Sequence, residues 1–270
     1  MIHVLTVHWN NEDWIEPQLT YLSRHIDRHY RVYAFLNGID PAPYKEKFFY
    51  ISTENIKSHA VKLNLLADIA CMAAEGPDDW LVFIDSDAFP VADVVAYAEK
   101  RLGEYPLVAV RRDENLGDPQ PHPCFCITTV GFWQKIEGDW KSGYRWKNAT
   151  GNWLTDVGGN LLGKLRESNI EWLPMLRSNT IDQHPVFFGI YDNLVYHHGA
   201  GSRKPVIRVD KAAFRRLPWI VRKLLTLLRI YKFGKNRALE RNAALSERIM
   251  QEIKSNPEFY LQFVGRERVE

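Results

Sequence analysis

The first half of the chain alternates between two hydrophobic periods. His3 to His8, HVLTVH, is a short apolar run with polar ends and reads as a buried strand. Trp14 to Ile26, WIEPQLTYLSRHI, shifts to apolar steps of three and four, the spacing of a helix, with Pro17 tolerated in its first turn. The same change recurs downstream. RVYAFLNG predicts a second strand closing on a turn at Asn37 and Gly38, FFYIST a third short strand, and Ser58 to Glu75 an amphipathic helix with Ser58 as its cap. Gly76 and Pro77 end that helix. Trp80 to Asp85, WLVFID, reads as a fourth strand, apolar up to its final acid; VADVVAYAEKRL follows as a helix and YPLVAVRR as a fifth strand. Apolar strands alternating with helices predict parallel crossovers and a sheet covered on both faces. The expected fold class is α/β, a mostly parallel sheet flanked by helices.

Beyond residue 112 the periodicity loosens. NLGDPQPHP, residues 115–123, is a polar, proline-rich loop, and CFCITTVGFWQKI reads as a strand running into a helix. Trp140 to Trp153 looks like a surface loop, Asp156 to Ser168 a further helix, and VFFGIYDNLVYHHGAG a set of strand-like runs ending at His197 and His198. The last sixty or so residues read as helices.

Composition changes this picture in two places. The 270 residues are 46% hydrophobic, enough for one large core with a tail, and contain no apolar run of roughly eighteen residues and no signal-peptide pattern at the start. Cytoplasmic placement is the expectation, and Cys71, Cys124 and Cys126, odd in number and without zinc spacing, read as thiols of a reducing compartment. Charge is uneven. Arg203 to Arg237 holds twelve Lys or Arg against one acid, Asp210, a local +11 that leaves −9 on the remainder of a chain of net +2. Leu217, Ile220, Val221, Leu224, Leu225, Leu228 and Tyr231 recur there at helical steps, with Arg215, Arg216, Arg222, Lys223, Arg229 and Lys232 between them and Trp219 near the boundary. Such a helix, over 212–233, fits an anionic membrane at its inner face, or packs on the domain with its arginines in water. Nucleic acid is not expected as a partner, because stacking aromatics are sparse and the acidic body repels a duplex.

The chemistry concentrates in Trp80 to Pro90, WLVFIDSDAFP, where Asp85 and Asp87 close the fourth strand. Ligands of open α/β sheets collect beyond the carboxyl ends of the strands, and two acids this close repel each other unless something positive lies between them. Once the chain turns, as Pro90 implies, both carboxylates can face one side and suit a divalent cation with hard oxygen ligands, Mg²⁺ or Mn²⁺. A solvated turn carrying two acids is the plain alternative.

A βαβαβ start followed by an apolar strand and DxD resembles the nucleotide-sugar-binding half of GT-A-fold glycosyltransferases, most nearly the family-2-like group, over residues 1 to 200. The resemblance implies a catalytic domain at 1–203, with a donor half at 1–112 and an acceptor half at 113–203, followed by a basic helical extension at 204–270. By position it implies donor contacts at Thr6, His8, Asn10, Asn37, Lys62, Asn64, Asp85 and Ser86, and a metal held by Asp85, Asp87 and a histidine after a late strand. Neighbours on a strand face opposite ways, so only one of the adjacent pair should face the site; His198, beside the glycines where a loop begins, is the first choice and His197 the second. Asp156 takes the place of the acceptor-side base, with helix capping as the alternative role. His122 and the tryptophans Trp133, Trp140, Trp146 and Trp153 are candidates for an acceptor platform. Arg203 and Lys204 either neutralise diphosphate or begin the basic arm. The implied activity is metal-dependent transfer of a sugar from a UDP- or GDP-sugar to a glycan or lipid-linked acceptor, in cell-surface polysaccharide assembly. Two departures qualify it. No acid ends the second strand, where many members bind uracil, and GYRW lacks the glutamine spacing of processive synthases. A haloacid-dehalogenase-like phosphatase, with the first Asp as nucleophile, and a non-catalytic carbohydrate-binding domain are the competing readings.

Overall fold

In the computed structural model of the chain the described residues are 1–205, 219–227 and 230–265. A seven-stranded sheet is built from Ile2–Trp9 (β1), Tyr30–Asn37 (β2), Tyr50–Ser52 (β3), Trp80–Asp85 (β4), Leu107–Val110 (β6), His122–Thr129 (β7) and Leu173–Met175 (β10), in the order β10-β6-β7-β4-β1-β2-β3. All neighbours are parallel except β7, which runs antiparallel to both β4 and β6. The expected α/β sheet is present, and β7 is its departure from pure parallel order. The polar loop before β7 returns the chain directly, without the helical crossover that a parallel strand needs.

Alternation along the strands feeds two cores. Ile2 and Val4 of β1 face one cluster, with Ile15 and Leu22 of helix α1 (Ile15–His25) and Val94, Val95 and Ala98 of α3 (Val94–Leu102). Leu5 and Val7 face the other, with Leu63, Leu66, Ala67 and Ala70 of α2 (His59–Ala73), Val130 and Trp133 of α4 (Val130–Lys135) and Leu161 and Leu165 of α5 (Gly159–Glu167). Each large side chain so buried contributes about 1.5–3 kcal/mol relative to exposure. Ser58 caps α2 as predicted, its side chain accepting from the Val61 amide.

Strand order reverses between β1 and β4, because β2 and β3 lie on one side of β1 and β4 on the other. A crevice forms beyond the carboxyl ends at such a point. There the chain leaves the main sheet: Ala88–Pro90 (β5) joins a second, antiparallel sheet with Val195–His197 (β12) and Gly189–Tyr191 (β11), in a register that sets His197 opposite Ala88.

The second half differs from expectation in places. Trp140 to Trp153 is not a surface loop: Trp146–Lys147 (β8) pairs with Trp153–Leu154 (β9), and Trp140 and Trp146 are buried. The rings of Trp133 and Trp140 lie 4.7 and 5.0 Å from Phe83, and this aromatic packing outweighs the polar neighbours in sequence. Helix α5 starts at Gly159, not Asp156, with Gly158 at its N-cap. In the extension, Trp219–Leu227, Ile230–Ser255 and Leu261–Val264 are helical, and Ile249, Ile253, Phe259 and Phe263 share a buried cluster with Tyr21, Phe89 and Tyr196. Of the predicted basic amphipathic segment, Arg215, Arg216, Leu217, Leu228 and Arg229 lie outside the described residues, as do the side chains of Arg222, Leu225, Tyr231 and Lys232.

Candidate metal and nucleotide-sugar site

The turn after β4 is held from below. Gln18 of α1, fully buried, donates through Nε2 to the carbonyls of Asp85 (2.8 Å) and Ala88 (2.9 Å), which fixes the backbone on either side of Ser86 and Asp87. Asp87 is held from above. Its Oδ2 accepts from the amides of Gly199 (3.0 Å) and Gly201 (2.7 Å), so Oδ1 is the oxygen left to face the crevice. Only glycine fits at 201, where an added Cβ would stand 2.5 Å from both Asp87 Cβ and Trp14 Nε1.

His197 closes the group. Its Nε2 lies 3.5 Å from Asp87 Oδ1 and 3.8 Å from Asp85 Oδ2, and one ligand atom each of Asp85, Asp87 and His197 lie within 4.8 Å of one another. On the far side of Asp85, His59 Nε2 approaches Oδ1 at 3.1 Å, without hydrogen-bond alignment. Burial alone would raise both carboxyls. For Asp85 the His59 ring, then His122 and His197, outweigh it; for Asp87 the His197 ring does so first, then His198 and the Gly201 amide, and both acids are held below the usual carboxylate range.

These residues fit a divalent cation. Two carboxylates and an imidazole whose ligand atoms lie within 4.8 Å of one another are a donor set for Mn²⁺ or Mg²⁺.

Of the two histidine candidates, it is His197, the second choice, that faces the acids, and His198, the first, that faces away. His198 is fully buried, with Nδ1 2.8 Å from the Tyr196 hydroxyl and Nε2 2.6 Å from the Ser246 hydroxyl, its ring 4.6 Å from Trp14 and 4.8 Å from Phe188. Both nitrogens are engaged, and burial pushes its pKa down to about 4. It is a neutral anchor between the small sheet and the helix Ile230–Ser255. Strand alternation sends one histidine of the pair each way, and pairing with β5 selects His197 for the crevice.

A cleft of about 560 Å³ opens in front of these groups. Ser86 and Asp156 line it as expected, as do His122 and Arg203. Asp156 is exposed, and its Oδ1 accepts from the Val157 amide. Of the helix α2 pair, Lys62 lines the cleft and Asn64 does not, since residues two apart on a helix point to different sides. Lys62 lies over the Trp9 ring at 4.3 Å and donates to Asn37 Oδ1 at 2.8 Å; burial lowers its pKa to about 8. Asn64 instead braces the protein interior, donating to Asp139 and accepting from the Trp140 amide.

The strand β1 candidates are displaced by one residue. Val7 and Trp9 line the cleft, whereas Thr6 and His8 are fully buried on the alternate face, where burial pushes His8 down to about 4. Asn10 is exposed at the strand end with φ 51°, its side chain over Gly38, and neither it nor Asn37 is among the cleft-lining residues. Trp133, Trp140 and Trp146 are core, and only Trp153 of that set is exposed.

The sequence reading missed His59, Trp9, Lys57 and Arg112, all of which line the cleft. His59 had a signal: it stands three residues before Lys62 on one helix and therefore on the same face.

No protein-family model matches the chain, and no curated protein matches it. Among solved structures it is similar to TarS of S. aureus in complex with UDP-GlcNAc, at 15% identity over 52% of this chain and 48% of that one, with a TM-score of 0.39. It is similar also to the mannosyltransferase PcManGT of Pyrobaculum calidifontis in complex with GDP-Man and Mn²⁺, at 16% identity over 64% and 54% of the two chains, with a TM-score of 0.44. A third is the apo form of the glycosyltransferase GlyE of Streptococcus pneumoniae TIGR4, at 17% identity, 63% and 44% coverage and a TM-score of 0.41. The chain spans about half the length of these structures.

Proposed function

We propose that the chain is a metal-dependent glycosyltransferase that moves a sugar from a nucleoside diphosphate donor to a glycan or lipid-linked acceptor. The observation that carries this reading is the convergence of Asp85, Asp87 and His197 at the carboxyl end of β4, in a cleft that also presents Lys57, His59, Lys62, Arg112 and Arg203. Asp85, Asp87 and His197 would hold Mn²⁺ or Mg²⁺, which stabilises the charge that grows on a departing diphosphate. The cationic side chains around them favour the same anion, and the Trp9 ring with Lys62 beside it gives the cleft one aromatic wall. Asp156 is the base in this reading. In an inverting transfer it takes the acceptor hydroxyl proton as the new bond to the anomeric carbon forms and the bond to the diphosphate oxygen breaks. A phosphatase built on Asp85 would need that carboxyl free to attack phosphorus, whereas Oδ1 lies against His59 and Oδ2 faces His197.

The test is donor binding and turnover across a panel of nucleotide sugars, with Mn²⁺ and with excess EDTA. Asp87→Ala is expected to abolish transfer and leave the fold intact, with metal-dependent thermal stabilisation by one nucleotide sugar lost in the variant. Turnover that persists unchanged in EDTA overturns the metal role, and stabilisation by simple phosphomonoesters alone returns the phosphatase reading.

A further inference from the structure

The helix Trp219–Leu227 presents apolar side chains to water. Trp219 and Ile220 are each 63% exposed, Leu224 55% and Leu227 77%. Ile220, Leu224 and Leu227 stand at i, i+4 and i+7 and therefore share one face, while Lys223 lies over the Trp219 ring at 5.7 Å. Soluble surfaces rarely leave such a patch uncovered. We propose that this helix lies on an anionic lipid bilayer, with the face of Ile220, Leu224 and Leu227 in the acyl boundary and Lys223 toward the headgroups.

Charge complementarity selects that occupant. The segment from Arg203 to Arg237 carries +11, so a second copy of the chain would bring two cationic arms together, whereas an anionic headgroup layer neutralises them. A nucleic acid would also neutralise the arm, but it gives no apolar phase for Ile220, Leu224 and Leu227. Nine helical residues extend only about 14 Å against a hydrocarbon core of about 30 Å, and no helix among the described residues is long and apolar enough to cross a membrane. The geometry is that of a helix lying in the interface. The next helix ties it to the body: Asn242 donates to the Pro205 carbonyl at 2.9 Å and Arg248 to Gln183 at 2.7 Å. The proposal does not depend on the transferase reading, since binding to lipid needs neither donor nor metal.

The experiment is co-sedimentation of the full chain with phosphatidylcholine vesicles, with and without phosphatidylglycerol, at low and high salt. The chain is expected to pellet with the anionic vesicles about tenfold or more better than with neutral ones, and less so in high salt. The charge-preserving variant Ile220→Ser/Leu224→Ser/Leu227→Ser should lose that binding while keeping the parent's melting temperature. Equal binding by parent and variant overturns the proposal, as does equal binding to neutral vesicles. Dimerisation of the parent without lipid, abolished in the variant, assigns the face to a second copy instead.

Discussion

At the scale of single residues, the histidine pair separates a ligand role from a packing role. His197→Ala should weaken Mn²⁺ binding, read by titration calorimetry, at a smaller cost in unfolding free energy than His198→Ala. His198→Ala should cost about 2–4 kcal/mol in urea unfolding, because it leaves a cavity and strips the Tyr196 and Ser246 hydroxyls of their partner. The reverse outcome would restore His198 as the ligand. Lys62 supplies a pH dependence whose sign is fixed. Its folded pKa is lowered from 10.5 to about 8, so the unfolded chain binds more protons between those values and stability rises with pH across that window. The gain is on the order of 1–3 kcal/mol in equilibrium unfolding, and Lys62→Met should flatten it. Asp156→Asn should cut turnover sharply and leave donor affinity in place; equal loss of both would make it structural. The two acids after β4 and a histidine after a late strand were legible in the sequence, but which of two neighbours faces the cleft was not. Thr6 against Val7, His8 against Trp9 and His198 against His197 differ by one step of the pleat, and that parity is set by pairing with other strands.

At the scale of elements, the apolar runs of β1, β2 and β4 and the cap of α2 were readable because local pattern and burial agree there. The hairpin of β8 and β9 and the buried Trp140 and Trp146 were not; Trp140, for one, packs on Phe83, which is distant in sequence. The loop after β12 is the element on which the site most depends. Gly201→Ala drives a methyl into Asp87 and Trp14, so the loop must move away from the carboxylate it binds. A loss of about 1–3 kcal/mol in stability together with weakened Mn²⁺ binding is the expected result. Gly76→Ala, where nothing stands within 4 Å, should stay within about 0.5 kcal/mol of the parent and serves as the control.

At the scale of the whole molecule, the described helices Ile230–Ser255 and Leu261–Val264 of the extension contribute to a buried cluster of the body. Ile249, Ile253, Phe259 and Phe263 cover Phe89 and Tyr196, and Ser246 reaches the histidine beside the cation group. Deleting residues 204–270 should therefore broaden and lower the thermal unfolding transition, followed by circular dichroism, beyond any effect on lipid binding. The sequence showed this region as helical and basic, but its covering role depends on side chains more than 150 positions away from Phe89. The pairing of β5 with β12 extends the same dependence in time. Asp87 is separated from Gly199 by 112 residues, so a ribosome releases both acids long before their clamp and His197 exist. The candidate cation pocket therefore cannot assemble on the nascent chain before Gly201 has been translated.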